Sequence, residues 1–429
     1  MTQRRKKATS FQKQKIAKAQ HRNEFLRRLR HVIDMINGRE VSSMIPQKIL
    51  DKLYSTRTHS FKIVVAGESS VPSRIINDAI LTLSYLTKNQ KIVVIPGKLV
   101  VTLDEFFTVI LTVSVNLNIF LPDDLPALKP FIRKLKKFNI ALDNIFDKAN
   151  EDIRKMLLSL AFSHNDIGKT LYWLKHELNP TPGLERGIVN LISINSYKIE
   201  SSSIVVDDNH RPVIRLGYAL PNYGIDWVAI KPSVLKVDNS FADIPLDVYI
   251  QTHALQRLSE RIDCFPTGSI HYNMFISLKD PRVFYDGNQN ILIEYRYFGT
   301  RAGYFRVDII EGKIVIRTFL FVTNNGTPEG IKLGNITGLQ RLDKKYLALD
   351  RLSTFMTSDL GENENVRNIL NSADCHCLLE LYERCQKVAT NTSKHFDADL
   401  MLKYIGYDKK YLPESIQHAP LLRTQPEII

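Results

Sequence analysis

The sequence predicts an α+β protein of several domains, and three observations carry that expectation. The chain is 429 residues long, enough for about two to four domains. Stretches with helical apolar spacing alternate with stretches of strand-like character, and "NPTPGLERG" at 179–187 interrupts both. A hydrophobic content of 44 % suits an ordinary globular core.

The first element is a basic arm, residues 1–38. It turns helical near its end, where Phe25, Leu26, Leu29, Val32, Ile33 and Ile36 recur at helical spacing before Gly38 terminates the run. Residues 39–124 read as a small mixed α/β unit: "FKIVVAG", "SRIINDAILTLSYLTK", "QKIVVIPGKLVV" and "LDEFFTVILTVSV" alternate strand-like and helix-like patterns. Residues 125–180 read as a helical segment. A β-rich domain then spans 188–335, opening with a hairpin in "SSIVVDDNHRPVIRLGYAL" around Asn209 and His210. Residues 336–405 return to helix, and 406–429, with Pro413, Pro420 and Pro426, read as a loose tail.

No apolar run reaches the roughly 18 to 20 residues of a membrane span, since Asn116 and Asn118 break the best one, "FFTVILTVSVNLNIFL". The positive N-terminus is not followed by the apolar segment of a signal peptide. The expectation is a cytoplasmic protein with no membrane partner. Cys264, Cys375, Cys377 and Cys385 are too few for a disulfide framework. "DCHCLLELYERC" offers His376, and His395 further on, as companions for a metal. Its C-x-C leads into helical spacing rather than a knuckle, so reduced cysteines on a helix, no metal and no cofactor are expected. "VVAGESSVPSR" lacks the second glycine and the lysine of a phosphate loop, and "DIGKT" has only the end of that motif; neither supports nucleotide hydrolysis.

Charge is uneven. Residues 1–30 hold Arg4, Arg5, Lys6 and Lys7, then Lys13, Lys15 and Lys18, then Arg22, Arg27, Arg28 and Arg30, against Glu24 alone, for a net +10. The other 399 residues carry only +3 of the total of +13. A second basic patch falls at Lys129, Arg133, Lys134, Lys136 and Lys137. Such an arm suits a polyanion, because each neutralised phosphate releases condensed counterions.

Two patterns point to chemistry. In "QTHALQRLSERID" (251–263), His253, Arg257 and Arg261 recur every fourth residue along one helix face, while Leu255, Leu258 and Ile262 form an apolar stripe on another. Downstream, "RVFYD", "NILIEYRYF", "GYFRVDII" and "KIVIRTFLFVT" are strands joined by short turns, an antiparallel meander. A turn at Glu311–Gly312 sets Asp308 opposite Val315 and Arg306 opposite Arg317. A loop of residues 299–303 puts Ile293, Tyr295 and Tyr297 on the face of Phe305, Val307, Ile309, Ile314 and Ile316. Arg296, Arg306 and Arg317 then form a row on the opposite face, with Glu294 beside Asp308. Like charges about 5 Å apart repel by up to ~3 kcal/mol at an effective dielectric near 20. A row of this kind implies either solvated heads or a bound anion.

A helix of the form H-A-x-x-R-x-x-x-R before an antiparallel sheet with arginines and a closing "VT" resembles the RelE, ParE and barnase-like toxin and nuclease grouping, over residues 248–330 only. The resemblance implies metal-independent RNA cleavage. His253 would act as acid or base, with Glu294 as a second base, and Arg257, Arg261, Arg296, Arg306 and Arg317 would stabilise phosphate charge. Thr323 matches the polar residue closing the last strand. The grouping also holds non-catalytic binders and gyrase inhibitors, and its members are far shorter than this chain. Two function classes therefore stand: an endoribonuclease of toxin, defence or mobile-element type directed by the arm, or a non-catalytic nucleic-acid-binding or assembly protein of phage or ribosome-associated kind. The expected partner is RNA, with the ribosome, a protein inhibitor or an assembly partner as further candidates.

Overall fold

The structure, a computed structural model, describes residues 10–67, 69–121, 126–180, 187–206, 208–237, 243–357 and 364–389. Arg4 to Lys7, most of the 179–187 break, His395 and the 406–429 tail lie outside them. The class is α+β with several sheets, and the chain forms two compact units. The first holds residues 1–67, 71–154 and 175–194, and the second 68–70, 155–174 and 195–429.

In the first unit the arm is a helix, α1 (Ser10–Asn37), whose Phe25, Leu26, Leu29, Val32 and Ile33 are buried. It stops where Gly38, at φ 80°, donates its N–H to the Asp34 carbonyl. After α2 (Gln47–Ser55), β1 (Thr58–Val65) runs parallel to β5 (Ile188–Lys198), which lies between it and β4 (Thr170–Pro180). Helix α3 (Ser73–Asn89) and the hairpin of β2 (Lys91–Ile95) and β3 (Leu99–Thr102) intervene.

Next comes the helical run Leu103–Phe120, α4, started by a Thr102–Glu105 capping box. The asparagines do not break it: α4 absorbs them in two π turns and by length and composition could cross a membrane. More than half of it is buried inside the protein. Its polar groups serve the core, since Asn116 Nδ2 donates to the Thr56 carbonyl (2.9 Å) and Thr112 Oγ1 accepts from the Thr58 N–H (3.0 Å). Both bonds pin the start of β1.

Helix α5 (Lys129–His164) follows, but the helical expectation for 125–180 fails past it, because 170–180 is the strand β4. "NDIGK" makes the change: Asn165 Oδ1 accepts from the Tyr172 N–H and Asp166 Oδ1 from the Gly168 N–H, a tight turn that ends the helix.

The second unit is built on a mixed sheet. The hairpin of β6 (Ser201–Val206) and β7 (Asn209–Arg215) is present, but Asn209 and His210 already pair with Val206 and Val205, so the chain turns before them, with Asp208 at φ 60°. The short antiparallel pair β8 (Gly217–Leu220) and β9 (Gly224–Trp227) leads to β10 (Ala229–Ile230) and to β11 (Leu246–Gln251), which pairs antiparallel with both β10 and β7. Helices α6 (Thr252–Arg261) and α7 (Thr267–Lys279) precede the meander β12 (Val283–Tyr285), β13 (Ile291–Tyr297), β14 (Thr300–Ile310) and β15 (Lys313–Phe321). Strand β15 lies parallel to β11, giving the order β12-β13-β14-β15-β11-β7-β6. Helices α8 (Pro328–Thr337), α9 (Arg341–Tyr346), α10 (Leu352–Thr357), α11 (Glu364–Ser372) and α12 (His376–Ala389) close the described chain. Cys375 and Cys377 are buried free thiols at the start of α12, and burial holds the Cys377 thiol up at about 12.

Candidate functional site

The helix and meander exist, but the arginine row does not form. Two residues, Phe298 and Gly299, at φ 53° and 77°, make the β13–β14 turn in place of the five-residue loop, and a bulge separates Tyr295 from Arg296. Ile293 therefore faces Phe305, Arg296 faces Arg301, and Leu292 faces Arg306. Next to the turn this register differs from the expected one by five positions, and beyond the bulge by four, an even number, so the apolar face of Ile293 and Tyr295 survives. At Glu311–Gly312 the expected turn holds and Asp308 faces Val315. A bulge beyond Asp308 then leaves Arg317 out of the register and sets Arg306 opposite Thr318.

Arg296, Arg317 and Glu294 of the expected row have partners within the protein instead, while the Nε of Arg306 is buried without a hydrogen-bond partner among the described residues. Arg317 donates to Asp308 (2.7 Å), and Arg296, only 5 % exposed, donates to the Asp280 carbonyl (2.7 Å). Glu294, 2 % exposed, accepts from Arg282 (3.3 Å) and Arg301 (3.0 Å). Arg301 also pairs with Glu329, whose carboxylate takes the Tyr304 hydroxyl at 2.8 Å. On α6, Arg257 pairs with Glu260 (2.8 Å) and Arg261 with Asp350, while His253 is exposed. Buried Thr323 donates to the Leu349 carbonyl at 2.7 Å.

The two faces also separate the set. Leu258 and Ile262 share a core with Val307, Ile314 and Ile316, so α6 covers the apolar face. Val315, on the Asp308 and Arg306 side, belongs to a different cluster with Ile204, Val206 and Val213. His253 and the sheet charges thus do not converge on one point.

The basic arm is better preserved. Lys13, Lys15 and Lys18 are exposed on α1 with no acidic partner among the described residues. Arg22 pairs with Asp51, Arg27 with Glu24 (2.8 Å), and Arg28 with Glu24 (2.7 Å) and Glu105 (2.8 Å); Arg30 donates to Gln47 at 3.3 Å. Lys134 of α5 donates to the Asn37 carbonyl, satisfying an end group of α1. Lys136 and Lys137, beside it, are exposed. The second basic patch therefore adjoins the C-terminal end of α1.

Beside α1 lies a cavity of about 260 Å³ that the sequence did not disclose. His21 and Arg28 enter it from α1, the stretch Arg57 to Ser60 from the start of β1, and Asp104 from α4. Asn190 on β5 donates to the His59 carbonyl (2.6 Å), adding a third anchor to those from Thr112 and Asn116. The Arg57 guanidinium lies 4.1 Å over the Tyr54 ring and donates to the Tyr54 carbonyl (2.6 Å), without an acidic partner among the described residues. The Tyr54 hydroxyl in turn meets His21 Nδ1 at 3.2 Å.

Burial, then the Arg57 and Arg28 charges, lower the His21 pKa, against Asp104, which raises it. His59 is lowered by burial, Arg57 and His21, and burial also lowers Arg57. Burial raises the Asp104 carboxyl, although it accepts a hydrogen bond from Ser60. Positions 21, 57–59 and 104 share no spacing, so only the fold could gather them.

No family model, no curated protein and no solved structure matches this chain.

Proposed function

We propose that this protein binds nucleic acid, with RNA as the expected ligand, through the cationic surface of its first unit. The observation that carries the reading is the division of α1: its later half sinks Phe25, Leu26, Leu29, Val32 and Ile33 into the core, while Lys13, Lys15 and Lys18 stand in water with no acid among the described residues to neutralise them. A helix anchored in this way holds its charges at fixed spacing, which lowers the entropy lost on meeting a phosphate backbone. Lys136 and Lys137, near the other end of α1, are further exposed cations of this unit.

Of the two classes, the binding module is favoured over an endoribonuclease at His253. Catalysis needs an acid or base and the arginines at one phosphate, and two of the three arginines expected in the row, Arg296 and Arg317, are held by a carbonyl and a carboxylate of the protein.

Replacing Lys13, Lys15 and Lys18 together by Gln tests the proposal without touching the core. Anisotropy of a labelled single-stranded RNA, titrated over a range of salt, should show weaker binding. The slope of log K against log salt should flatten by about 2, at ~0.7 per phosphate contact on a single strand. Equal affinities and slopes for the variant and the parent would remove α1 from the interface.

A further inference from the structure

We propose that the cavity beside α1 is a phosphate-binding site in which Arg57 supplies the charge and His21, His59 and the Thr58 hydroxyl supply hydrogen bonds. Three observations support it, and none depends on Lys13, Lys15 or Lys18. Arg57 is half-buried and faces the cavity with an aromatic ring and a carbonyl for company rather than a carboxylate, unlike Arg22, Arg27 and Arg28. A cation removed from water without a counter-charge is costly, and a bound anion removes that cost. Second, Thr58 is 1 % exposed and lines the cavity, and its Oγ1 has no hydrogen-bond partner among the described residues. A buried hydroxyl in that condition is unusual without a ligand or water. Third, the stretch carrying these groups is fixed on both sides, by Thr112 and Asn116 from α4 and by Asn190 from β5. Preorganised donors of this kind bind an anion without paying to be ordered first.

The acids at the rim do not cancel Arg57. Glu24 is held by Arg27 and Arg28, and Glu105, outside the cavity, also holds Arg28. Asp104 has its carboxyl raised by burial and accepts from Ser60. Tyr54 contributes its hydroxyl to His21. A tetrahedral phosphate can accept from a guanidinium, two imidazoles and a hydroxyl at once. The phosphate could be a backbone phosphodiester of the nucleic acid proposed above or a free phosphate group. The chemistry is shared, and the experiment separates the sources.

The test is carbethoxylation of histidines in the full-length protein with diethyl pyrocarbonate, read by peptide mass spectrometry. Reactions are run in phosphate-free buffer, then with inorganic phosphate or with a ten-nucleotide oligouridylate. Saturating ligand should slow modification of His21 and His59 by about ten-fold or more, because only the unliganded fraction reacts, while exposed His253 serves as the unaffected reference. Protection by inorganic phosphate assigns a site for a free or terminal phosphate; protection by the oligonucleotide alone assigns a backbone phosphodiester. Arg57→Gln should abolish protection and Arg57→Lys should keep part of it, with circular dichroism checking that each variant is folded. Unchanged reactivity of both histidines with either ligand would overturn the proposal, as would full protection in a folded Arg57→Gln. If phosphate protects these histidines while RNA binding is insensitive to Lys13, Lys15 and Lys18, the cavity stands and the α1 interface fails.

Discussion

Arg301 sits between two carboxylates that are almost wholly buried, Glu294 at 2 % and Glu329 at 3 % exposed, and the Tyr304 hydroxyl completes the group. Removing the arginine leaves buried Glu329 with no ion-pair partner among the described residues and Glu294 with only the longer contact to Arg282, so Arg301→Met should cost about 3 to 5 kcal/mol in denaturant unfolding. Arg317→Ala, by contrast, breaks a partly exposed pair with Asp308 and should cost no more than about 1 kcal/mol. The sequence suggested that losing one arginine of a row relieves repulsion. The structure reverses that sign for Arg317, because the bulge places an acid beside it. A loss of several kcal/mol in Arg317→Ala, or none in Arg301→Met, would contradict this ordering. His271 gives a pH dependence. Burial, against a smaller opposing effect of Asp166, lowers its pKa to about 4, and its Nδ1 accepts the Ile167 N–H at 3.1 Å. The folded protein keeps it neutral, whereas the unfolded chain protonates it near 6.5. Its contribution, roughly 3 kcal/mol, is therefore complete above that pH and is lost as pH falls from 6.5 toward 4. Unfolding midpoints across this range should decline less steeply in His271→Gln, and identical pH slopes would argue against it.

At the scale of elements, the legible parts were those where one period dominates. The α1 stripe, α3 and the four strands of the meander all follow from spacing and turn residues, whereas the run "QKIVVIPGKLVV" read as strand-like without its hairpin. Three things were hidden. Strand β4 carries Leu171, Tyr172 and Leu174 buried without alternation, so period could not separate it from the helix before it. The bulges at Tyr295 and at Arg306 leave no mark in composition, yet they decide which charges meet. The Phe298–Gly299 turn puts a phenylalanine at positive φ, a choice set by the core contacts of that ring rather than by turn preference. A packing contact gives the prediction at this scale. A Cβ on Gly268, in the first turn of α7, would lie 2.0 Å from the Phe162 carbonyl oxygen, so the helix approaches another segment's backbone as only glycine permits. Gly268→Ala should lower stability by about 2 kcal/mol or more, through a shift of α7. An unchanged unfolding midpoint would contradict the close approach of the two backbones at Gly268.

Across the whole molecule, the +10 carried by residues 1–30 cannot be treated as a detachable tail, because Phe25, Leu26 and Leu29 of that stretch are buried. Truncation at residue 30 would remove core and charge together, whereas neutralising exposed lysines removes charge alone. The candidate site divided in the same way. The cationic arm was legible because charge density is a property of sequence, and the cavity of His21, Arg57 and His59 was not, because it is a property of folding. The final prediction asks whether the chain cuts what it binds. Mixed RNA incubated with the protein in excess EDTA should remain intact, since Arg257, on the same helix as His253, is paired with Glu260, and Arg296 and Arg317 of the sheet are held by a carbonyl and by Asp308. Should 2′,3′-cyclic phosphate ends appear, two variants locate their source. His253→Ala slowing cleavage by about 10²- to 10⁴-fold, the scale for losing a general acid or base, would return the activity to α6 and replace the binding module with an endoribonuclease. Cleavage lost instead in His59→Asn would place the chemistry in the cavity of the first unit, where two imidazoles and a guanidinium without a carboxylate partner among the described residues line a space large enough for a phosphate.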